Sequence, residues 1–220
     1  MPTPSTGSDV SNESDGSGGR RRAPDETRDR ILGAAFEEFY RNGFQAGNVS
    51  TIVERAGVTK GALYHHFSDK AALGYAVVEE VIREPILEAY LGPLAEAEGD
   101  PLAALQDALR RRPDAFSETG IGFGCPLNNL MQEMSPLDEG FRTRVAAALE
   151  TWTEGFDEAL RRARDRGFVR ADIDTRRVAA FAVAAIAGSF GPAKNAASVA
   201  LLRANLETLA DFLETLRPAG

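Results

Sequence analysis

The stretch that decides the fold is residues 52–70, which read IVERAGVTKGALYHHFSDK. Apolar residues recur at helical spacing on both sides of a short break at Gly57, a residue that tolerates the positive φ of a tight turn. Asn48 and Thr59 are typical N-cap residues, and each stands just before one of the two apolar runs. The pattern predicts two short helices joined by a tight turn, the proportions of a helix-turn-helix.

The second short helix has a polar face suited to the major groove of DNA. That groove is about 12 Å wide, so a helix entering it needs short or planar side chains near its N-terminus. Gly61 would let the backbone approach DNA closely, whereas Leu63 and Phe67 are predicted to point into the core. The candidate reading face consists of Thr59, Lys60, Gly61, Tyr64 and His65.

A longer helix is predicted upstream, where Ile31, Ala35 and Phe39 form an apolar stripe that ends before Gly43. With this helix, residues 52–70 resemble the signature of the TetR family of repressors. The resemblance covers about 50 residues in the same order. Asn48 stands where the family usually has threonine, and Ala62 replaces another common threonine.

The resemblance implies an all-helical homodimer that reads a double-stranded DNA operator with its third helix and responds to a small-molecule ligand. Lys70 would hold a phosphate at the start of the fourth helix. On matching positions, the implied DNA contacts are Thr51, Thr59, Lys60, Gly61, Tyr64, His65 and Lys70.

The net charge of −8 is unusual for a protein that binds DNA, but it is unevenly distributed. Residues 25–70 carry six cationic and seven anionic side chains, whereas residues 71–220 carry 16 and 23. Phosphate binding depends on the local cluster rather than on the global charge. The acidity therefore argues against a nonspecific architectural DNA binder more than against a site-specific regulator.

Composition divides the chain into three parts. Residues 1–24 are rich in Ser, Gly and Asp and nearly free of apolar side chains, so we expect a disordered arm. Its end, Arg20–Arg22, is either a solvated basic linker or an arm that follows phosphates or enters the minor groove beside the reading helix. Residues 25–70 are the predicted DNA-binding domain, and residues 71–220 the predicted ligand-binding and dimerisation domain.

The larger domain is predicted to be helical throughout. A helix runs on from Asp69, and proline at a first helical position opens helices at Pro101 and Pro126. Later helices are predicted over 138–167, 174–190 and 198–216, and no run has the period of a strand. The fold class is therefore all-α: a three-helix helix-turn-helix domain followed by a larger helical domain.

Large apolar residues of this domain are candidate walls of a ligand pocket, although each taken singly is more simply a core residue. Asn128 and Gln132 share one face of a short helix and Asn129 and Glu133 the neighbouring one, so one pair would face a ligand and the other solvent. The candidate ligand contacts are Phe116, Phe123, Cys125, Asn128, Asn129, Gln132, Trp152 and Phe156.

Cys125 is the sole cysteine, which excludes an internal disulfide. It precedes Pro126, near a predicted helix N-terminus, where the helix dipole lowers a thiol pKa. A thiol-based redox or electrophile sensor acting through Cys125 is therefore the alternative to ligand control, and a purely structural role is the simpler interpretation.

The last two helices carry apolar faces and small residues that permit close helix approach. The candidate dimerisation residues are Phe181, Ala185, Leu202, Leu206, Leu209 and Leu213. A two-fold dimer would present its two reading helices to pseudo-palindromic half-sites in successive major grooves.

Other function classes have little support in the sequence. It contains no Walker loop, HExxH motif or Ser-His-Asp order, and the adjacent His65 and His66 point about 100° apart on a helix, so we expect no enzyme, cofactor or metal. No apolar segment reaches the roughly 18 residues of a membrane helix, and no signal-peptide core is present, so we expect a cytoplasmic protein.

Overall fold

The N-terminal three helices form a small domain around one apolar cluster. The computed structural model describes residues 23–219, beginning with α1 (Ala23–Asn42), α2 (Val49–Ala56) and α3 (Lys60–His66). Ile31, Ile52 and Leu63, one from each helix, are fully buried and hold the three helices together. Of the predicted arm at residues 1–24, residues 1–22, with Arg20–Arg22, lie outside the described residues, and residues 23 and 24 belong to α1 rather than to an arm.

The turn and caps of this domain are those predicted from the sequence. Gly57 has φ 63° and ends α2 in the left-handed region. The Asn48 side chain accepts a hydrogen bond from the Ser50 amide at 2.8 Å, and Thr59 Oγ1 accepts one from the Ala62 amide at 3.1 Å. Both helix starts are therefore fixed locally by their own cap residues.

The helix predicted from Asp69 consists of three consecutive helical segments. Asp69 caps α4 (Lys70–Ala76), a π-helical segment follows at Val77–Ile82, and α5 (Arg83–Ala95) is the third segment. Pro85 lacks the amide that an uninterrupted α-helix would pair with the carbonyl of Val81, so the regular ladder cannot continue there. The π-helical segment packs against α1, α8 and α9.

Four short elements lead into the second half of the chain. They are α6 (Pro101–Arg111), a 3₁₀ turn (Arg112–Ala115), α7 (Glu118–Ile121) and α8 (Pro126–Met134). The starts of α6 and α8 at proline are confirmed. α7 was not predicted, because its single turn is too short to show a periodicity and its cap, Ser117, is the sole local signal.

Three long helices complete the domain: α9 (Glu139–Asp165), α10 (Thr175–Ala196) and α11 (Val199–Glu214). α9 packs against α5, α6, α8 and α10, while α11 packs against α6 and α10. α10 extends beyond the predicted end near Phe190, because the helix continues through Pro192.

The all-α prediction is confirmed. Within residues 23–219 every regular element is helical, and none of these helices is long and apolar enough to cross a membrane.

Candidate DNA-reading surface and ligand cavity

The reading face predicted on α3 is exposed to solvent. Lys60, Gly61 and His65 are exposed, and 42% of Tyr64 is accessible. Leu63 and Phe67 are buried on the opposite side, as predicted. Packing of the small domain therefore does not account for the polar and aromatic groups on the outer face.

Gly61 lies in open space on this face. A Cβ added there would meet a single neighbouring atom, Thr59 Oγ1, at 3.8 Å, and its backbone is not in the left-handed region. The fold itself thus gives no reason for glycine at this position. Close approach of an external partner to the backbone gives one.

Thr51 and Thr59 flank the reading face at the starts of α2 and α3. Thr59 Oγ1 accepts the capping hydrogen bond of α3, which leaves its hydroxyl proton available to an external acceptor. Thr51 is half-buried, one residue before the core residue Ile52.

Lys70 is held more tightly within the protein than the sequence suggested. Its Nζ donates to the carbonyl of Gln45 at 3.1 Å and lies 4.9 Å from the centre of the Phe44 ring. Burial lowers the pKa of its ammonium, against the opposing effect of Glu133 and Glu38. Two of its three N–H donors remain for a phosphate.

His65 and His66 lie with ring centres 5.5 Å apart. Among the residues described, no group of three or more His, Cys, Asp or Glu side chains is placed to bind a metal ion.

A cavity of about 250 Å³ lies between the small domain and the larger one. Phe36 and Tyr40 of α1 line it from one side, and Val81 and Ile82 of the π-helical segment lie beside them. The remaining walls come from the larger domain: Pro85, Ile86, Tyr90, Arg112, Phe116, Cys125, Pro126, Trp152 and Phe190.

Three of the predicted ligand contacts line this cavity, namely Phe116, Cys125 and Trp152. Phe156 does not, because it is fully buried behind Tyr90 and Trp152 and packs edge-on against both rings. Phe123 packs instead on Tyr40 and under the guanidinium of Arg41.

The polar residues of α8 face elsewhere. Asn129 donates to the Phe123 carbonyl at 2.7 Å and accepts from Lys194 at 3.2 Å. Asn128 and Gln132 lie along a groove beside α10. The expectation that one of the two amide-bearing faces of α8 lines the ligand cavity therefore needs correction, because α8 turns only Pro126, at its N-terminus, toward that cavity.

Glu133 instead binds the small domain. Its carboxylate accepts hydrogen bonds from the backbone amides of Phe44 at 2.9 Å and Gln45 at 2.8 Å. The turn after α1 is thus anchored to α8, a connection that sequence spacing gave no means of finding.

Cys125 is the N-cap residue of α8, as expected, but the predicted effect on its pKa is wrong in sign. The residue is only 7% exposed. Burial raises the pKa of the thiol, and hydrogen bonds from the backbone at Asn128 and Leu127, together with the charge of Arg112, oppose this without reversing it. Desolvation of the charged form outweighs the helix dipole here, so the protonated thiol is favoured near neutral pH.

Sequence reasoning missed four residues that shape the cavity: Phe36, Tyr40, Tyr90 and Arg112. Their side chains meet because α1, α5 and the 3₁₀ turn converge, which local periodicity does not encode.

The predicted dimerisation residues divide into two groups. Phe181 is exposed and Ala185 is partly exposed on α10. By contrast, the four leucines of α11 are buried within the protomer: Leu202, Leu206, Leu209 and Leu213. A leucine already buried against its own chain has no side-chain area left for a second subunit, so these four belong to the protomer core.

Both halves of the chain match models of one protein family. Residues 31–77 match the family described as bacterial regulatory proteins, tetR family, and residues 101–209 match the tetracyclin repressor-like C-terminal domain. The first match covers most of α1 and all of α2, α3 and α4, and the second covers all helices from α6 to α10 and most of α11.

Individual proteins that are similar to this chain are also transcriptional regulators. The transcriptional regulator AcuR of Cereibacter sphaeroides is 32% identical over 160 residues, which cover 70% of this chain and 71% of the relative. The HTH-type transcriptional repressor DhaR of a Mycobacterium species is 28% identical over 74% of this chain and 79% of its own length. The crystal structure of a regulatory protein TetR from Rhodobacter sphaeroides superposes with a TM-score of 0.76 at 26% identity, covering 84% of this chain and 97% of that one. With the exposed helix-turn-helix and the interdomain cavity described above, these matches show that the chain belongs to the TetR family and is a DNA-binding transcriptional regulator rather than an enzyme.

Proposed function

We propose that the chain is a homodimeric repressor that leaves a pseudo-palindromic operator when a small molecule enters the cavity. The observation that carries this proposal is the shared wall of the cavity. Phe36 and Tyr40 belong to α1 of the DNA-binding domain, whereas Tyr90, Phe116 and Trp152 belong to the larger domain. A ligand in this cavity would therefore contact the DNA-binding domain directly.

The proposed DNA contacts lie on and around α3. Lys60, Tyr64 and His65 would reach base edges or phosphates from its exposed face, with Gly61 allowing the backbone close to the DNA. Thr51, Thr59 and Lys70 would contact the phosphate backbone and fix the orientation of the helix. Domain boundaries at 25–70 and 71–220 fit this assignment.

The proposed dimer face lies on the outer sides of α10 and α11. Phe181 and Phe212 form an edge-to-face pair with ring centres 5.4 Å apart, and both are exposed, Phe181 by 54%. Ala184 and Gly188 continue the exposed face along α10, and Gly188 has no atom within 4 Å of an added Cβ. Two copies of this face would bury the exposed aromatic pair.

The ligand would control DNA binding by shifting the population between two states of the dimer, which differ in the spacing of the two DNA-binding domains. The ligand changes the equilibrium only by its differential affinity for the two states, typically about 1–3 kcal/mol of coupling. The π-helical segment, Val77–Ile82, supplies Val81 and Ile82 to the cavity and joins the two domains, so it is the element placed to move.

The test is operator binding by the purified chain, which we place in the cytoplasm with the chromosome. DNA from upstream of its own gene should bind with high specificity over random DNA, and an inducer should release it. A nonspecific architectural binder would instead coat both DNAs with a similar affinity and a similar salt dependence, and this result would contradict the proposal.

A further inference from the structure

Among residues 23–219, a single charged residue lines the cavity between the domains. All of its other walls are aromatic, aliphatic, proline or the Cys125 thiol, whereas Arg112 brings a guanidinium. No aspartate or glutamate among the described residues forms an ion pair with it, whereas the nearby Arg110 pairs with Asp107 and Asp211. A permanently charged group facing a cavity without a counter-ion favours an anionic ligand.

Aromatic rings hold this guanidinium in place. Its Cζ lies 4.7 Å from the centre of the Phe116 ring and 5.5 Å from that of Tyr90. Its Nε is buried and has no hydrogen-bond partner within residues 23–219. The stacked rings restrain the orientation of the planar fork and leave N–H donors for a ligand.

Two further hydrogen-bond donors on the cavity wall are also buried without an acceptor among the described residues. Tyr90 is 1% exposed and Trp152 is 2% exposed, and their rings lie with centres 4.6 Å apart. In the described part of the chain the Trp152 Nε1 has no hydrogen-bond partner, and the Tyr90 hydroxyl, which lies beside the Arg112 guanidinium, has no acceptor for its own proton. Buried polar groups are almost always paired in native proteins, so these two donors indicate an external acceptor.

The rest of the cavity sets the size and character of the ligand. About 250 Å³ is smaller than the roughly 300–1,000 Å³ that drug-sized ligands occupy. Phe116 and Phe190 meet edge-on with centres 5.3 Å apart, and Ile86 lies on the same lining. These surfaces suit a small flat apolar body.

We propose that the cavity binds a compact organic monocarboxylate, an inference that rests on the proposed function. The carboxylate accepts hydrogen bonds from Arg112, Tyr90 and Trp152, and the apolar body packs against Ile86, Phe116 and Phe190. The planar guanidinium fork can pair bidentately with a carboxylate or a phosphate, but inorganic phosphate has no apolar body for these walls and a neutral amide has no charge to pair with Arg112.

Trp152 is the sole tryptophan of the chain, so its fluorescence reports binding in this cavity directly. The full-length protein, without DNA, is titrated with benzoate, butanoate, benzamide and inorganic phosphate. We expect at least one of the two carboxylates to change the emission saturably, and benzamide and phosphate to bind at least about tenfold more weakly. If neither carboxylate binds, or if benzamide or phosphate binds as tightly, the proposal is wrong.

Variants place the anion at Arg112. Arg112→Gln keeps hydrogen-bond donors but removes the charge, and it should weaken carboxylate binding by about tenfold or more while benzamide binding changes little. Arg111→Gln, an exposed neighbour that does not line the cavity, is the matched control and should bind as the wild type does. Equal carboxylate affinity in both variants would overturn the assignment.

Two measurements separate this inference from the proposed function. Fluorescence titration needs no operator, and operator binding by the free protein needs no ligand. Loss of operator binding with intact carboxylate binding would contradict the regulator mechanism alone. Intact operator binding without any carboxylate response would contradict the ligand assignment alone.

Discussion

The Tyr40 hydroxyl donates a hydrogen bond of 2.5 Å to the carbonyl oxygen of Gly124. Tyr40 stands near the end of α1 in the DNA-binding domain, and Gly124 directly precedes Cys125 at the start of α8. Burial raises the pKa of Tyr40 to about 12, so its hydroxyl stays protonated and able to donate across the physiological range. This hydrogen bond links the DNA-binding domain to the backbone next to the cavity-lining residue Cys125.

Tyr40→Phe should weaken communication between the two domains. The ring that lines the cavity remains, but the link to Gly124 is lost, at a cost of about 1 kcal/mol in unfolding free energy. We expect operator affinity near that of the wild type and a smaller loss of affinity on adding inducer. Anisotropy titrations of labelled operator with and without inducer measure both, and an unchanged inducer effect would contradict the coupling role.

Glu133→Ala should destabilise the joint between α8 and the turn after α1. It removes the carboxylate that accepts from the amides of Phe44 and Gln45, and charge-assisted hydrogen bonds of this kind stabilise by about 2 kcal/mol. Urea unfolding gives the free-energy change. Gln132→Ala, the neighbouring position, is the control and should lose less; equal losses would mean that Glu133 has no special role.

Gly61→Ala should separate folding from DNA binding. A Cβ at Gly61 meets no close protein atom, and alanine in a helix is more stable than glycine by about 0.5–1 kcal/mol, so thermal stability should not fall. Operator affinity should drop by about tenfold or more if the backbone approaches DNA there.

The matched control is Gly33→Ala on α1. An added Cβ at Gly33 also has no atom within 4 Å, but the residue is not on α3. Operator binding that survives both substitutions would rule out close approach at Gly61.

Stability should fall in alkaline solution because of the buried thiol. Burial raises the folded-state pKa of Cys125 above its unfolded value, so above the unfolded pKa the unfolded chain binds fewer protons than the folded one. The stability contribution of the thiol is complete below that pKa and is lost as the pH rises through the folded pKa. Urea unfolding at a series of pH values from neutral to alkaline should show a flatter profile for Cys125→Ala.

The same burial bears on the thiol-sensor alternative. A protonated, buried thiol should react with iodoacetamide far more slowly in the folded protein than in urea at neutral pH. Release of operator DNA by mild oxidants or electrophiles, abolished in Cys125→Ala, would instead restore that alternative.

Residues close in sequence were enough to predict the helix-turn-helix. Gly57, Asn48 and Thr59 act on neighbouring backbone atoms, so their roles follow from local spacing. Leu63 and Phe67 are buried and Tyr64 is exposed, because a seven-residue helix packed on one side leaves few choices. The family signature itself lies within this local stretch.

The cavity and the proposed dimer face depend on tertiary packing. Arg112, Tyr90 and Tyr40 come from three separate elements, and they line one cavity only because the folded chain brings α1, α5 and the 3₁₀ turn together. Helical periodicity indicated that α11 has an apolar face. It did not indicate whether that face packs against α6 and α10 or against a second subunit. In the structure the face packs against α6 and α10 within the protomer. Cys125 shows the same limit: its N-cap position is a local property, but desolvation by surrounding helices controls its pKa.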